Sequence, residues 1–298
     1  NLRGTAPVHS VHPVHQVHRV HAPPFPESLA MKNKRVLVTG SGTGIGREIA
    51  LEFARQGAAV ALHYSHTRDG AARAVEEIRQ AGGRAEAFAA DFNQTGEAQR
   101  LAAQALEFLG GLDVLVNNAG VTMNMPFLKV TPEQFDTLYH VNVRAQFFLT
   151  QALVPALAAG RGSIINISSI HAFRGAPGHA VYAGTKGAII AYTRELAIEL
   201  APLGIRVNTI APGAVTVDNH RKVMSTDPNA LGAGIPCGFA GTPGDVAKLA
   251  VFVAGDHARY LLGQTLVLDG GSTSWMAFGD GFRHFSDAPF GRGYVPGV

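Results

Sequence analysis

From Arg35 onward, short apolar runs alternate with longer segments of helical spacing, and this alternation constrains the fold more than any other feature. Strands are predicted at residues 35–39, 59–63, 84–90, 113–117, 163–167, 206–210 and 265–268. Between them lie predicted helices at 44–56, 70–81, 97–109, 181–200 and 244–254, and a long one within 131–158 that opens on Thr131-Pro132-Glu133, a cap followed by proline in the first turn. Strands separated by helices of this length imply an α/β fold, a parallel sheet covered on both faces. A ligand crevice then lies beyond the carboxyl ends of the strands. Gly40, Asn117, Ser169 and Pro212 all follow strand ends, so they converge on one edge.

The 298 residues, 46% of them hydrophobic, suffice for a full core, and the unbroken alternation favours one domain. With 25 basic and 22 acidic residues and no Lys/Arg cluster, the chain has no nucleic-acid footprint. The single cysteine, Cys237, excludes an intrachain disulfide and a multi-cysteine zinc site, and no metal centre is expected. No apolar run reaches the roughly 18 residues that cross a bilayer, so a soluble cytoplasmic protein is expected. Residues 1–30 stand apart: Val-His pairs recur every three residues from Val8 to His21. A polyproline II helix would line these histidines along one edge, where metal capture is conceivable. The simpler reading is a non-catalytic leader without the apolar core of a signal peptide, with the folded domain at 31–271 beginning near Met31. Residues 272–298 form an aromatic tail (Trp275, Phe278, Phe282, Phe285, Phe290, Tyr294), expected to pack on a subunit interface or to rim a pocket.

Between the first strand and helix runs Thr39-Gly40-Ser41-Gly42-Thr43-Gly44-Ile45-Gly46. Glycines there allow a tight turn and close approach of a pyrophosphate, whose charge the helix amino terminus favours. Asn117-Asn118-Ala119-Gly120 ends the fourth strand; its amides can tie strand ends together, and Gly120 lets the chain pass close to a flat ligand. Asp91, followed by Phe92, either meets an adenine edge or caps a turn. The second strand ends in His63-Tyr64-Ser65-His66-Thr67-Arg68, with no carboxylate to accept from a ribose 2′-hydroxyl. Donors and positive charge there favour NADP(H), with NAD(H) still admissible.

Tyr182 and Lys186 are four apart, on one helical face. An ammonium beside a phenol favours the phenolate and lowers its pKa. Ser169, at the end of a buried strand, could reach the same carbonyl oxygen, a set suited to proton transfer coupled to hydride transfer.

Together these motifs resemble the short-chain dehydrogenase/reductase family over residues 34–271. The resemblance rests on Thr39-Gly-x-x-x-Gly44-x-Gly46, Asn117-Asn-Ala-Gly120, Asn142, Ser169, Tyr182-x-x-x-Lys186 and Pro212-Gly213. It implies a single-domain Rossmann-like doubly wound sheet, a nicotinamide cofactor and a homotetramer. It further implies that Asp91 contacts adenine, that Lys186 holds the nicotinamide ribose, and that Asn142 holds a water in a proton relay to Lys186. Gly40, Ser41, Thr43, Gly44, Ile45, Gly46, Tyr64, Ser65, His66, Arg68, Phe92, Asn118, Ala119, Gly120, Pro212, Gly213 and Val215 complete the expected cofactor contacts. The family's threonine five residues beyond the proline is Val217 here, with Thr216 one earlier.

Ser169-Ile170-His171 is similar to a segment of bacterial glucose 1-dehydrogenases, as is the stretch 235–243. His171 could hydrogen-bond a polyol hydroxyl, and His179, Asn124, Asp218 and His220 are further pocket candidates. Residues 215–234 either close over substrate or form a surface excursion. Aldose or polyol oxidation is the leading expectation. Reduction of a 3-oxoacyl thioester is the alternative, weakened by the neutral Ala201-Pro202-Leu203-Gly204. A non-catalytic dinucleotide sensor is a third class, against which the intact Ser169, Tyr182 and Lys186 argue.

Overall fold

The computed structural model describes residues 31–217 and 232–275. Seven strands, β1 (Arg35–Val38), β2 (Ala59–Tyr64), β3 (Ala85–Ala89), β4 (Val114–Asn117), β5 (Ser163–Ile167), β6 (Arg206–Pro212) and β7 (Thr265–Leu268), form one sheet in the order β3-β2-β1-β4-β5-β6-β7. Every neighbouring pair is parallel, with Val36 opposite Val60 on one side and Val114 on the other. The helices are α1 (Gly44–Arg55), α2 (Arg68–Gln80), α3 (Glu97–Leu109), α4 (Pro132–Tyr139), α5 (Ala145–Gly160), α6 (Ala180–Leu200) and α7 (Pro243–Ala254).

Successive strand side chains point to opposite faces, so each strand feeds two cores. Val36, Val38, Val114, Val116 and Ile165 pack with Ile49 and Phe53 of α1, Ile78 of α2 and Val246 of α7. Leu37, Leu115, Ile164 and Val207 pack on the other face with Leu101 of α3, Leu149, Leu153 and Leu157 of α5, and Ala197 of α6. This is the doubly wound, single-domain arrangement expected from the alternation.

The long helix expected within 131–158 is not continuous. Thr131 closes a capping box, its hydroxyl accepting from Gln134 N while Gln134 Oε1 accepts from Thr131 N at 3.1 Å. Residues His140–Arg144 then form a π turn between α4 and α5. A π turn leaves helical periodicity nearly intact, so spacing does not reveal it. Helix α2 starts at Arg68, two residues earlier than expected, because Gly70 lies inside its first turn. A Cβ on Gly70 would sit 2.0 Å from Gly42 O, so this glycine lets α2 press against the glycine turn rather than marking the helix start.

The histidine-rich residues 1–30, Asp218, His220, most of 215–234 and the tail beyond Trp275 lie outside the described residues. Among the described residues no helix is long and apolar enough to cross a membrane.

At the amino-terminal edge, Asp113 accepts from Arg35 N and Nε, both at 2.8 Å, and so pins β1 to β4. Burial alone would raise the Asp113 carboxyl, but the Arg35 hydrogen bonds and charge hold it below the usual carboxylate range. Its stabilisation is therefore present above the unfolded carboxylate pKa and fades as pH falls through the lower folded value. We expect Asp113→Ala to cost about 1–3 kcal/mol in urea unfolding at pH 7. That deficit should shrink in strong acid; a loss independent of pH would show that the ion pair is not its source.

Candidate active site

The strand order reverses direction between β1 and β4, where a crevice opens at the carboxyl ends. The glycine turn after β1 is locked to the Asn118 segment after β4. Asn118 N and Ala119 N both donate to Thr39 Oγ1 at 2.9 Å, and Asn118 Nδ2 donates to Thr39 O at 2.9 Å. Gly40 adopts φ +63°, and a Cβ there would lie 2.8 Å from Ala119 Cα. Gly46 is as constrained, since its Cβ would meet Gly40 O and Asn118 Nδ2 at 2.3 Å. These glycines permit contact within the protein. Gly44, at φ +56°, lines the crevice, and a Cβ there would press on the Val217 side chain at 3.3 Å, so glycine keeps this part of the turn narrow.

Behind the turn, Asn117 Nδ2 donates to Thr150 Oγ1 of α5 and to Asn166 Oδ1 of β5, at 3.0 and 2.9 Å. Asn166 Nδ2 continues to Thr193 Oγ1 of α6 at 2.9 Å, which in turn accepts from Thr209 Oγ1 of β6 at 2.9 Å. Amides therefore tie the strand ends together, as expected of the asparagine run.

Two cavities, of about 740 and 500 Å³, meet in one cleft through the shared lining residues Ile45, Asn118, Gly120, Val121 and Val217. The smaller is walled by Gly40, Thr43, Gly44, Gly46, Ser65, His66, Thr67, Asp91, Phe92 and Ala119. The larger holds Ser169, His171, His179, Tyr182, Lys186, Pro212, Gly213 and Val215. Most of the expected site residues thus share the cleft, but four do not line it. Ser41 is buried beneath the turn, its hydroxyl donating to Val38 O at 2.8 Å. Tyr64 projects to the opposite face of β2 from the lining His63, because neighbouring strand positions alternate. Arg68 is an exposed residue at the start of α2. Asn142 is buried in the π turn. Asp91 serves a turn as well as the wall, Oδ1 accepting from Asn93 N at 3.0 Å. Asn124 packs against Gly178, also outside the lining.

The catalytic candidates come from β5, α6 and the π turn. Ser169 follows β5 and is 7% exposed; its Oγ accepts from His171 N at 3.2 Å, which leaves its proton to donate toward the Tyr182 oxygen in the cleft. Lys186, 4% exposed, donates from Nζ to Ile167 O at 2.9 Å and sits 5.6 Å from the Tyr182 ring centroid. Burial pushes the Lys186 ammonium down to about 8. Burial also raises the Tyr182 phenol, and the Ser169 hydrogen bond opposes it only in part. The lysine-driven depression of the phenol expected from spacing is not what governs Tyr182 here; burial does. Both groups are desolvated, and each is driven toward its neutral form.

Asn142 stands close to Lys186 across Gly120, but its side chain is largely committed. Nδ2 donates to Val121 O at 2.9 Å and to Thr185 Oγ1 at 3.1 Å, while Oδ1 accepts from Val121 N at 2.8 Å. A water in the expected relay would have to use the second lone pair of Oδ1 or the main-chain carbonyl.

His171 and His179 stack with ring centroids 4.6 Å apart, and His171 meets the Tyr182 ring edge-on at 5.6 Å. Burial, and then the neighbouring His179, lower the His171 pKa. His171 Nδ1 is buried and has no hydrogen-bond partner within the protein.

Sequence reading overlooked His63 and Gln146. Gln146 Nε2 donates to Ala119 O at 2.9 Å and its Oε1 accepts from Tyr192 Oη at 3.0 Å, holding the Asn118 segment from behind. A polar residue in a largely apolar helix that also carries Thr150 and Gln151 gave no signal of this. At the opposite sheet edge, a depression of about 790 Å³ is lined by Arg35, Arg55, Glu77 and Arg84. Arg35, Arg55 and Glu77 are engaged in ion pairs there, and Arg84 lies over the Phe108 ring.

A family model described as enoyl-(acyl carrier protein) reductase matches residues 40–273. The chain is 37% identical over 263 residues to the hydroxynaphthalene reductase-like protein Arp2 of Metarhizium anisopliae, covering 84% of this chain and 97% of that protein. Its fold is similar to a 7α-hydroxysteroid dehydrogenase solved with NADH and 7-oxo glycochenodeoxycholic acid (TM-score 0.77, 35% identity, 82% of this chain and 96% of that one). It is also similar to a Beutenbergia cavernae protein, solved with NADP at low occupancy and proposed to be an NAD(P)-dependent gluconate 5-dehydrogenase (TM-score 0.77, 36% identity, 83% of this chain and 100% of that one). With a family model over residues 40–273, which includes Ser169, Tyr182 and Lys186, and a relative 37% identical over 84% of the sequence, the chain belongs to the short-chain dehydrogenase/reductase family.

Proposed function

We propose that this protein is an oxidoreductase that binds NADP(H) in preference to NAD(H) and interconverts a small alcohol with its carbonyl, an aldose or polyol being the substrate class. The observation that carries this reading is the convergence of Ser169, Tyr182 and Lys186 on the cleft that the glycine turn opens. The glycine turn lining the cleft at Gly40, Gly44 and Gly46, the approach of Gly120 to Lys186 and the amino terminus of α1 fit a dinucleotide. When bound, the nicotinamide gives or takes the hydride. Ser169 hydrogen-bonds the substrate oxygen, and Tyr182 exchanges its proton with that oxygen. Lys186 stabilises the phenolate, holds the nicotinamide ribose and draws on the Asn142 relay for its proton. NADP(H) is favoured by Ser65, His66 and Thr67 on the cleft wall, by Arg68 nearby, and by the lack of a carboxylate at the end of β2.

His171 supports the polyol reading, because a buried nitrogen without a protein partner suits a second hydroxyl beside the reacting carbon. The gluconate 5-dehydrogenase suggested for one structural relative points the same way. The 36% identity over 240 residues to a 3-oxoacyl-[acyl-carrier-protein] reductase of Staphylococcus epidermidis favours a 3-oxoacyl thioester as the second reading. Homotetrameric assembly, a cytoplasmic setting and a single catalytic domain at 31–271 between two extensions belong to the same proposal.

Three measurements test it. Steady-state kinetics with aldoses, polyols and 3-oxoacyl thioesters, each with both cofactors, should give the highest kcat/KM for a polyol or aldose with NADP(H). Turnover confined to thioesters would reverse the substrate order, and a strong preference for NAD(H) would overturn the cofactor assignment. Tyr182→Phe should lose at least about a hundredfold in kcat, in line with the contribution of general acid–base catalysis, while still binding cofactor. Near-normal turnover would remove Tyr182 from its role. Lys186 carries its charge below about pH 8, so kcat/KM for carbonyl reduction should fall as pH rises through that value. A profile flat from pH 7 to 10 would show that the lysine charge is not used.

A further inference from the structure

His63 lies on β2 and lines the smaller cavity, yet it is only 2% exposed. Both of its ring nitrogens meet backbone. Gly40 N donates to Nδ1 at 3.1 Å, and Nε2 lies 3.0 Å from Ala90 O. A backbone amide can only donate and a carbonyl can only accept. The ring must therefore carry its proton on Nε2 and present a lone pair at Nδ1. One neutral tautomer satisfies both partners.

The surroundings reinforce that choice. The ring stacks on Phe92 at 4.2 Å with 20° between planes. Its backbone is braced to the turn as well: Ser41 N donates to His63 O at 2.8 Å, and His63 N donates to Ser41 Oγ at 3.0 Å. The imidazole thus bolts three strand ends together, those of β1, β2 and β3, at the point where the glycine turn leaves the sheet.

We infer that His63 is a positioning residue for the nucleotide: its Nδ1 lone pair fixes Gly40 N–H, and with it the glycine turn, in the shape that receives the pyrophosphate, so binding requires the neutral ring. This inference rests on the dinucleotide reading of the cleft. A proton on Nδ1 would set two donors, Nδ1–H and Gly40 N–H, against each other across a buried gap. The turn would have to shift, and Gly40 already touches Ala119 on its other side. The charged groups facing the ring come from α3 and the segment after β3. Arg100 opposes a proton on His63, Glu97 favours it, and these two pair with each other at 2.6 Å. Asp91 adjoins the stacked Phe92 and faces the same cavity. Ser41, the nearest group of the glycine turn, is uncharged. Burial, the largest influence, pushes His63 down to about 4, so the neutral ring persists through the ordinary working range.

The test separates position from stability. His63→Phe keeps the ring on Phe92 and removes both hydrogen bonds. His63→Asn places an amide oxygen near the Nδ1 position and restores an acceptor for Gly40. NADPH affinity is measured by titration of nucleotide fluorescence, alongside thermal unfolding and kcat at saturating cofactor. We expect about tenfold weaker binding for His63→Phe with kcat within about twofold of wild type, as for the loss of one hydrogen bond to a ligand-facing group. His63→Asn should recover most of that affinity. Wild-type affinity should weaken as pH falls from 6 to 4.5 more steeply than that of His63→Asn, a comparison that cancels titration of the nucleotide's own phosphate. Unchanged affinity in His63→Phe, even with a lower Tm, would reduce His63 to a structural residue, as would failure of His63→Asn to rescue. If wild type itself binds no nicotinamide nucleotide, the reading of the cleft fails and this inference with it.

Discussion

The site depends on buried side-chain amides and hydroxyls that replace hydrogen bonds a parallel sheet cannot supply where its strands end. Beyond the carboxyl ends of β1, β4 and β5 the ladder stops, and backbone groups would be left unpaired in a nearly dry interior. Thr39 and Asn118 fill that need, and side-chain bonds from Asn117 and Asn166 through Thr193 and Thr209 extend the lock to α5, α6 and β6. Each partner removed would leave another buried polar atom unsatisfied, so the network holds the strand ends in one register. The glycine turn, Gly120 and Ser169 inherit their positions from it.

That rigidity sets up the electrostatics of the proposed reaction. Lys186 and Tyr182 share one face of α6, and Ile167 O anchors the lysine against the strand that delivers Ser169. Burial holds the ammonium near 8 and the phenol above its ordinary value, which keeps the proton on Tyr182 at neutral pH. The protein thus presents a neutral acid beside a weakly held cation. A negative charge growing on the phenol oxygen during transfer would meet a desolvated ammonium, which acts more strongly there than in water. The π turn contributes by placing Asn142 opposite the lysine and breaking the regular ladder at that point.

Most of the fold was legible because the chemistry of its core is periodic. Val36, Leu37 and Val38 alternate between two cores, and the same rule holds at Val114–Asn117 and Ser163–Ile167. Ser169, Tyr182, Lys186 and Gly120 were legible because each follows a strand end or shares a helical face. What escaped was whatever depends on contacts between distant segments. His63 reads as one more residue of a buried strand until Gly40 and Ala90 are placed on its two nitrogens. Tyr64 and Arg68 belong to the right segment, but strand alternation and the early start of α2 turn them from the wall. The direction of the Tyr182 shift follows from burial, which a four-residue spacing does not encode.

The most direct measurement is a crystal structure of the protein with NADPH bound. The account predicts a nucleotide lying along the whole cleft, its pyrophosphate over the glycine turn and its nicotinamide ring beside Tyr182 and Ser169, with Lys186 on the ribose. Nucleotide bound only elsewhere, such as in the depression around Arg35 and Arg84, or a nicotinamide ring turned away from Tyr182, would contradict it.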